Sequence, residues 1–307
     1  MTDTTVRIGC VLPDDRLGSW VEAALRDRLQ DLAGPVNGRT VALDVRRAPT
    51  AGLPHALADL VRDDPPFAVV APFTRGQEAA MSTAAASIPL VAPIAGPRRE
   101  TPGDAVGTWP VLPREEELVR VLVDSAFTDG PSALVLGADV PPSFVRAAEA
   151  QARRWGHFRR SRARIVYLGD PAGLAALRVS NPDARIYALG ADAGDLRTSP
   201  LVLAWSTARG ADLRGGHGHG RWAARGVPEA LLDDVQSAVA GLELVVEALA
   251  ATGRDLRRGA FERELEVGLG RHAPGQEHGL SAGRAAFVVA HDPDVGAREG
   301  RWVQPRN

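Results

Sequence analysis

The side chains best suited to chemistry in this sequence favour binding over catalysis. All 36 basic residues are Arg, because the sequence contains no Lys. Schiff-base chemistry and a phosphate-loop lysine are therefore excluded. No Gly-x-Ser-x-Gly elbow is present, and His217 and His219 stand in a glycine-rich stretch without further metal ligands at suitable spacing. The sequence thus predicts no enzyme activity, no bound metal and no cofactor.

One loop combines groups that suit an anion. Thr74 and Arg75 follow a predicted strand at 67–71 and precede a predicted helix at 76–87. The Thr74 hydroxyl and a free backbone N–H would bind a carboxylate, and the Arg75 guanidinium would bind it through two parallel hydrogen bonds. The alternatives are a simple helix cap for Thr74 and a solvated surface position for Arg75.

Length and composition limit the class of protein. The 307 residues suffice for two domains, each with its own core. The net charge of −2 gives no field that would attract nucleic acid. No run of 18 apolar residues occurs, so no membrane insertion is predicted. The polar start Met1-Thr2-Asp3 leads directly into a predicted strand at 6–12, which favours a cytoplasmic location unless a leader has been removed.

Short apolar runs alternate with longer amphipathic ones along the chain. Strands are predicted at 6–12, 40–46, 67–71 and 89–92, with helices between them, and the pattern restarts after Pro113. The clearest helix is predicted at 229–251, where Val235, Val239, Leu242 and Val246 share one face. Strands that alternate with helices of this length predict an α/β fold with parallel sheets.

Six segments, taken in this order, resemble the type I periplasmic-binding family, and in particular its branched-chain amino acid and amide binders. They are VRIGCVLP at 6–13, VNGR at 36–39, FAVVAPFTRG at 67–76, IPLVAPIAG at 88–96, the helical stretch 250–266 and the strand-like stretch 278–289. Each motif alone is unspecific, and their order and spacing carry the resemblance.

The resemblance implies two Rossmann-like lobes with parallel central sheets and a ligand cleft between them. The lobes are expected at 1–112 plus about 228–272, and at about 113–227 plus about 273–307. Closure about a hinge over the ligand is the expected motion. In such sheets the loops at the carboxyl ends of the strands line the ligand site.

The resemblance places further ligand contacts in the first lobe. Phe73 precedes Thr74 and Arg75 in the anion loop, and Ala95 and Gly96 follow the fourth strand. The family often has a Ser or Thr near Gly96, so a glycine there argues against an ordinary α-amino acid; the alternative is a turn glycine. Trp20 lies where the family carries a ligand-facing aromatic ring, and its alternative is packing on its own helix.

In the second lobe, the resemblance nominates the loop after the predicted strand at 132–137. Asp139 is placed to meet an ammonium group and Phe144 to line the cleft, although the usual Tyr-Gly pair of the family is absent. Trp205 ends another strand and either lines the cleft or packs in the core.

The predicted function is therefore non-catalytic binding of a small polar ligand that is amino-acid-, amide- or carboxylate-like. The protein would serve as a solute-binding protein or as a cytoplasmic sensor, with a membrane transporter or a regulatory protein as partner. The alternative is a regulatory or partner-binding protein that kept the fold and lost small-molecule binding.

Overall fold

A computed structural model describes most of the chain. The described residues are 4–32, 34–70, 77–85, 88–92, 108–110, 115–138, 140–189, 201–205, 222–228, 231–253, 256–271, 286–292, 296–297 and 301–303. The chain divides into two compact units. Unit 1 comprises Met1–Ala95, Thr101–Leu112 and Gly216–Gly283, and unit 2 comprises Gly96–Glu100, Pro113–Gly215 and Arg284–Asn307.

Unit 1 is built on a parallel sheet in the order β2-β1-β3-β4-β5. Its strands are β1 (Thr4–Pro13), β2 (Arg39–Ala48), β3 (Ala68–Val70), β4 (Leu90–Ala92) and β5 (Thr108–Pro110). In the interior strand β1, Ile8 and Leu12 enter one core cluster, and Val11 enters the cluster on the other face. Burial on both faces explains why β1 is an almost continuous apolar run.

Helices cover both faces of this sheet. α1 (Arg16–Asp31), α7 (Leu232–Ala251) and α8 (Arg258–Arg271) contribute to one core cluster, and α2 (Leu53–Asp63) and α3 (Glu78–Ala85) contribute to the other. α1 begins at a side-chain cap, because the Asp15 carboxylate accepts a hydrogen bond of 2.9 Å from the Gly18 N–H. The parallel α/β architecture predicted from the sequence is confirmed here.

The sheet of unit 2 is mixed. Its parallel part comprises β6 (Ala133–Leu136), β7 (Arg164–Leu168), β8 (Arg185–Leu189) and β9 (Leu201–Trp205). β10 (Ala286–Asp292) joins β9 antiparallel, and β11 (Gly296–Ala297) and β12 (Arg301–Val303) pair antiparallel with β10. The connections from β10 to β11 and from β11 to β12 are too short for a helical crossover, so these strands lie antiparallel, whereas β9 and β10 are separated in sequence by residues that belong to unit 1.

Three helices enclose the parallel part of unit 2. α4 (Glu115–Asp129) and α5 (Pro142–Ala152) pack on one face, and α6 (Pro171–Ser180) packs on the other. α6 has a side-chain cap, because Asp170 Oδ1 accepts a hydrogen bond of 2.8 Å from the Gly173 N–H. Within the described residues, no helix is both long and apolar enough to cross a bilayer.

The return of the chain to unit 1 falls earlier than about residue 228. Trp222 and Val227 are buried in the core of unit 1, whereas residues 209–225 lack an apolar period that would have indicated this. The sequence suggests a first crossing between the lobes near 108–113. Of these residues, Thr108–Pro110 pair with β4 as the edge strand β5 of unit 1, and unit 2 includes the chain from Pro113 onward.

Candidate functional site

The carboxyl edge of the unit 1 sheet gathers the loops that follow its strands. β1 ends at Pro13 and β2 ends at Ala48. The N–H of Asp14, which follows β1, donates a hydrogen bond of 3.0 Å to the Ala48 carbonyl, so the two strand ends are joined at this edge. Helices that start at this edge direct unpaired backbone N–H groups toward it. Such an edge can bind a carboxylate or another small polar group.

Gln77 is a residue at this edge that the sequence analysis did not single out. It directly precedes α3, and its side-chain amide donates a hydrogen bond of 2.9 Å to the Thr50 carbonyl, just beyond β2. Its buried Oε1 has no hydrogen-bond partner in the described structure. A buried acceptor without a partner costs free energy, so this oxygen is suited to accept an N–H from a ligand or a water.

The predicted anion loop and the loop after β4 leave adjacent strands. Val70, the last residue of β3, pairs with Val91 of β4, so both loops start side by side at the carboxyl edge. Phe73, Thr74, Arg75, Ala95 and Gly96 themselves lie outside the described residues. Their role as ligand contacts stays a prediction.

Trp20 lies in α1, one turn after the Asp15 cap. Its ring is half-buried and packs against the core of unit 1, close to Gly226. Packing against the core of unit 1 therefore explains the buried part of the Trp20 ring. Stacking of this ring on a ligand stays a prediction.

The carboxyl edge of the unit 2 sheet is packed around the hydroxyl group of Tyr167. A Cβ added to Gly137, Gly169 or Gly173 would lie 2.4, 2.5 or 2.1 Å from the Tyr167 hydroxyl oxygen. The hydroxyl donates to the Asp170 carbonyl at 3.0 Å, and the Gly137 N–H donates to the Leu168 carbonyl at 2.7 Å. Gly137 and Gly169 after the strands, and Gly173 in the first turn of α6, thus serve close packing.

The second-lobe candidates are only partly described. Phe144 lies in the first turn of α5, is 8% exposed and packs in the core of unit 2. Core packing explains its apolar side chain without a ligand. Trp205 ends β9, where its backbone pairs with Phe287, and its side chain is outside the described structure. Asp139 also lies outside the described residues.

Glu116 is a second residue that the sequence analysis passed over. Its side chain is 6% exposed, and neither carboxylate oxygen has a hydrogen-bond partner in the described structure. It lies in the first turn of α4. The run Glu115-Glu116-Glu117 predicts the charged first turn of a helix, and α4 begins at Glu115, but within that turn the Glu116 side chain is buried. Helical spacing was the available signal, because buried Val119 and Val123 follow Glu116 at i+3 and i+7.

Two titratable groups of unit 1 serve stability. Burial raises the pKa of the Cys10 thiol far above its ordinary value, so the thiol stays neutral and unreactive. Burial also acts to raise the pKa of Glu22, but hydrogen bonds from Arg47 and Arg26, together with their positive charges, outweigh it and lower that pKa. Arg47 Nη2 lies 2.7 Å from Glu22 Oε2, which joins β2 to α1.

The described residues contain no group of three His, Cys, Asp or Glu side chains that could hold a metal ion. A shallow, mostly apolar groove on unit 1 is formed by helix side chains instead of strand-end loops. Its lining residues are Pro54, His55, Ala58, Val61 and Arg62 of α2 and Ala80, Thr83 and Ala84 of α3.

Comparisons with solved structures identify the fold over nearly the whole chain. An ABC transporter substrate-binding protein from Desulfitobacterium hafniense matches with a TM-score of 0.64 at 16% identity, covering 98% of this chain and 99% of that one. A leucine-binding protein from Thermotoga maritima matches with a TM-score of 0.62 at 13% identity, covering 98% and 99%. A fatty acid ABC transporter substrate-binding protein from Thermomonospora curvata matches with a TM-score of 0.53 at 14% identity, covering 99% and 92%.

No protein-family model matches the sequence. No curated protein matches it significantly either. At identities this low, the structural likeness shows the fold, and the chain has the two-lobed α/β fold of type I periplasmic-binding proteins. The fold expected from the six sequence segments is thereby confirmed.

Proposed function

We propose that this protein binds a small polar ligand without converting it, at the carboxyl edges of its parallel strands. The observation that carries the proposal is the likeness to substrate-binding proteins along 98–99% of the chain. Fold alone does not define function, so the site must supply the chemistry. In unit 1 the described edge offers the buried Oε1 of Gln77, which has no hydrogen-bond partner in the described structure and belongs to the residue directly before α3.

The ligand class follows from the predicted contacts. Thr74 and Arg75 supply a hydroxyl and a cation, which suit a carboxylate or an amide oxygen. The family that this sequence resembles often has a Ser or Thr near the position of Gly96, and that side chain helps to hold the backbone of an α-amino acid. Because Gly96 has no side chain, we favour a carboxylate or amide ligand without the standard amino-acid backbone. The structural relatives are described as binding leucine and fatty acid, and both of these ligands carry a carboxylate.

A thermal-shift screen tests the proposal. Branched-chain amino acids, short amides, aromatic acids and fatty acids would each be added to the purified protein. A compound at 100 times its dissociation constant should raise the free energy of unfolding by about 2.7 kcal/mol. Isothermal titration then gives the stoichiometry, and unchanged ligand recovered after incubation separates binding from catalysis. Recovery of a converted product would contradict the non-catalytic assignment.

Arg75 provides the sharpest variant for this proposal. Arg75→Ala should weaken binding of the identified acid at least about fivefold, because a charge-assisted hydrogen bond contributes more than about 1 kcal/mol. The melting temperature of the ligand-free variant should stay close to that of the wild type. An unchanged affinity would remove Arg75 from the site.

The alternative is a partner-binding protein that kept this fold and lost small-molecule binding. It is favoured by Phe144 and Trp20, whose side chains pack on the cores of their own units. A transporter component or a regulatory protein is the proposed partner class. Absence of any shift in the screen, together with recovery of one stoichiometric protein partner by affinity purification, would establish this alternative.

A further inference from the structure

The most basic stretch of the chain lies in unit 2, at residues 153–164, which we call the arginine segment. It contains six Arg and no Asp or Glu, although the whole chain has a net charge of −2. The segment consists of a single 3-10 turn, Arg153–Trp155, and an irregular stretch that leads into β7. Gly156 and His157 both have positive φ, 98° and 72°, where the chain turns out of the helical region.

Backbone hydrogen bonds hold the arginine segment at the amino edge of the unit 2 sheet. The Arg159 N–H donates to the Ser132 carbonyl at 3.0 Å, next to the start of β6. The Arg185 N–H, at the start of β8, donates to the Ala163 carbonyl at 2.9 Å. The segment is therefore anchored at two strands, on the edge opposite to the carboxyl ends at which ligand binding is proposed.

The charges of this segment are presented to solvent. Arg153, Arg159, Arg160 and Arg162 are exposed, and in the described structure none of them forms an ion pair with a carboxylate. The nearby Asp129 already binds the Tyr187 hydroxyl and lies 3.2 Å from the Arg185 guanidinium. Like charges held close together repel one another, so an anionic partner would stabilise the segment.

The remaining side chains of the segment limit the kind of anion. Trp155 stacks on Phe127 and donates its indole N–H to Asp124, and Phe158 also packs against Phe127. Both aromatic residues are thus engaged with the core, which leaves none to stack on nucleic acid bases. Arg159, Arg160 and Arg162 also lie in irregular structure and not in a helix that could enter a DNA groove.

A specific protein interface is also disfavoured at the arginine segment. Such interfaces centre on buried aromatic or aliphatic anchors. The large hydrophobic side chains exposed in the described structure are Leu136, Val179 and Val267, and none belongs to the segment. The exposed groups of the arginine segment are therefore mainly guanidinium groups, which suit a surface that carries many phosphate groups. Clusters of four to eight basic residues bind anionic lipid headgroups when they lie at a membrane surface, and the arginine segment has the same number of charges.

We infer that the arginine segment docks unit 2 onto an anionic phospholipid surface, through ionic contacts of its Arg side chains with lipid phosphates. The contact needs no inserted helix and leaves the carboxyl edge of the same sheet free. This inference is independent of the proposed ligand binding, because it rests on a different edge and on different residues.

Co-sedimentation with lipid vesicles tests the inference on the full chain. The wild type should bind vesicles made of equal parts phosphatidylglycerol and phosphatidylcholine at about 0.1 M salt, and release them near 1 M salt, where charges are screened within about 3 Å. Pure phosphatidylcholine vesicles should not bind. The triple variant Arg159→Gln/Arg160→Gln/Arg162→Gln should lose at least about tenfold in partition coefficient, since each Arg near an anionic surface contributes about 1 kcal/mol.

The matched control is Arg16→Gln/Arg62→Gln/Arg258→Gln, which removes the same charge from exposed positions of unit 1. It should bind the anionic vesicles like the wild type, and circular dichroism should show both variants folded. Equal binding by both triple variants, or no binding by the wild type, would overturn the inference. Tighter binding to a duplex oligonucleotide at equal phosphate concentration would overturn the choice of lipid as partner.

Discussion

The side-chain amide of Gln77 donates a hydrogen bond of 2.9 Å to the Thr50 carbonyl, and this bond joins the start of α3 to the turn after β2. The other half of the same amide, Oε1, is buried and has no partner in the described structure. One side chain therefore both fixes a loop at the carboxyl edge of unit 1 and offers an acceptor there.

Replacement of Gln77 by Met should separate these two roles. The variant loses one hydrogen bond but also removes a buried unpaired oxygen, so the free energy of unfolding of the ligand-free protein should change by less than about 1 kcal/mol. If Oε1 accepts a hydrogen bond from the ligand, affinity should fall about fivefold. Urea unfolding and titration calorimetry measure the two quantities.

Gln151 supplies the control for Gln77. It is also a buried Gln, but its amide donates to Asp124 at 2.7 Å within the core of unit 2. Gln151→Met should lower the free energy of unfolding by about 1–2 kcal/mol and leave ligand affinity unchanged. Equal affinities for the two Met variants would exclude Gln77 from the site.

The buried carboxylate of Asp124 should be among the most sensitive polar positions of unit 2. It accepts hydrogen bonds from Gln151 at 2.7 Å and from the Trp155 indole at 2.8 Å, and so joins α4 to α5 and the turn that follows. Asp124→Ala should cost about 3 kcal/mol, because the buried donors lose a charged acceptor. Chemical denaturation followed by Trp fluorescence measures this loss. The exposed Asp183→Ala should change stability by less than about 0.5 kcal/mol.

Gly173 should not tolerate even the smallest side chain. A Cβ there would lie 2.1 Å from the Tyr167 hydroxyl oxygen, so Gly173→Ala should destabilise the protein by about 1–3 kcal/mol. Removal of that hydroxyl in Tyr167→Phe should restore part of the loss, and a double-mutant cycle on melting temperatures or urea midpoints would show the coupling.

Gly259 is the control for Gly173, because its surroundings leave space for an added Cβ. It lies in α8, and a Cβ there would meet no atom within 4 Å. Gly259→Ala should therefore stabilise the protein by up to about 1 kcal/mol, because Ala favours the helix. A loss at Gly259 equal to that at Gly173 would show that the close approach of Tyr167 is not the cause.

Glu22 should make the protein sensitive to acid. Its pKa in the folded state lies below the ordinary value of 4.5, so the unfolded state binds a proton first as the pH falls. The stabilisation from Glu22 is therefore complete above pH 4.5 and is lost as the pH falls through the folded-state pKa. The difference in free energy of unfolding between wild type and Glu22→Gln should be positive at neutral pH and vanish in acid.

Urea titrations at a series of pH values would follow the effect of Glu22. A Glu22→Gln difference that persists unchanged in acid would assign the effect to packing, since the carboxylate is then protonated in both states.

Apolar periodicity predicted much of the fold. The runs at 6–12 and 67–71 give the neighbouring strands β1 and β3, and the spacing of Val235, Val239 and Leu242 gives α7. These elements are encoded locally, because a parallel strand buried on both faces needs a continuous apolar run and a packed helix needs a repeat near 3.6 residues. The ordered series of such elements was sufficient to indicate the fold class.

What only the tertiary structure decided is which polar groups are buried and which strands are neighbours. The spacing of Glu116 from Val119 and Val123 indicates a buried helix face, but only the packed structure shows that neither carboxylate oxygen of Glu116 has a hydrogen-bond partner among the described residues. Nothing in the local sequence shows that Trp222 belongs to the core of unit 1. The six Arg of the arginine segment are visible in the sequence, but their position at the amino edge follows from backbone bonds to Ser132 and Arg185. Burial and register arise from contacts between residues far apart in sequence, and no local pattern specifies those contacts.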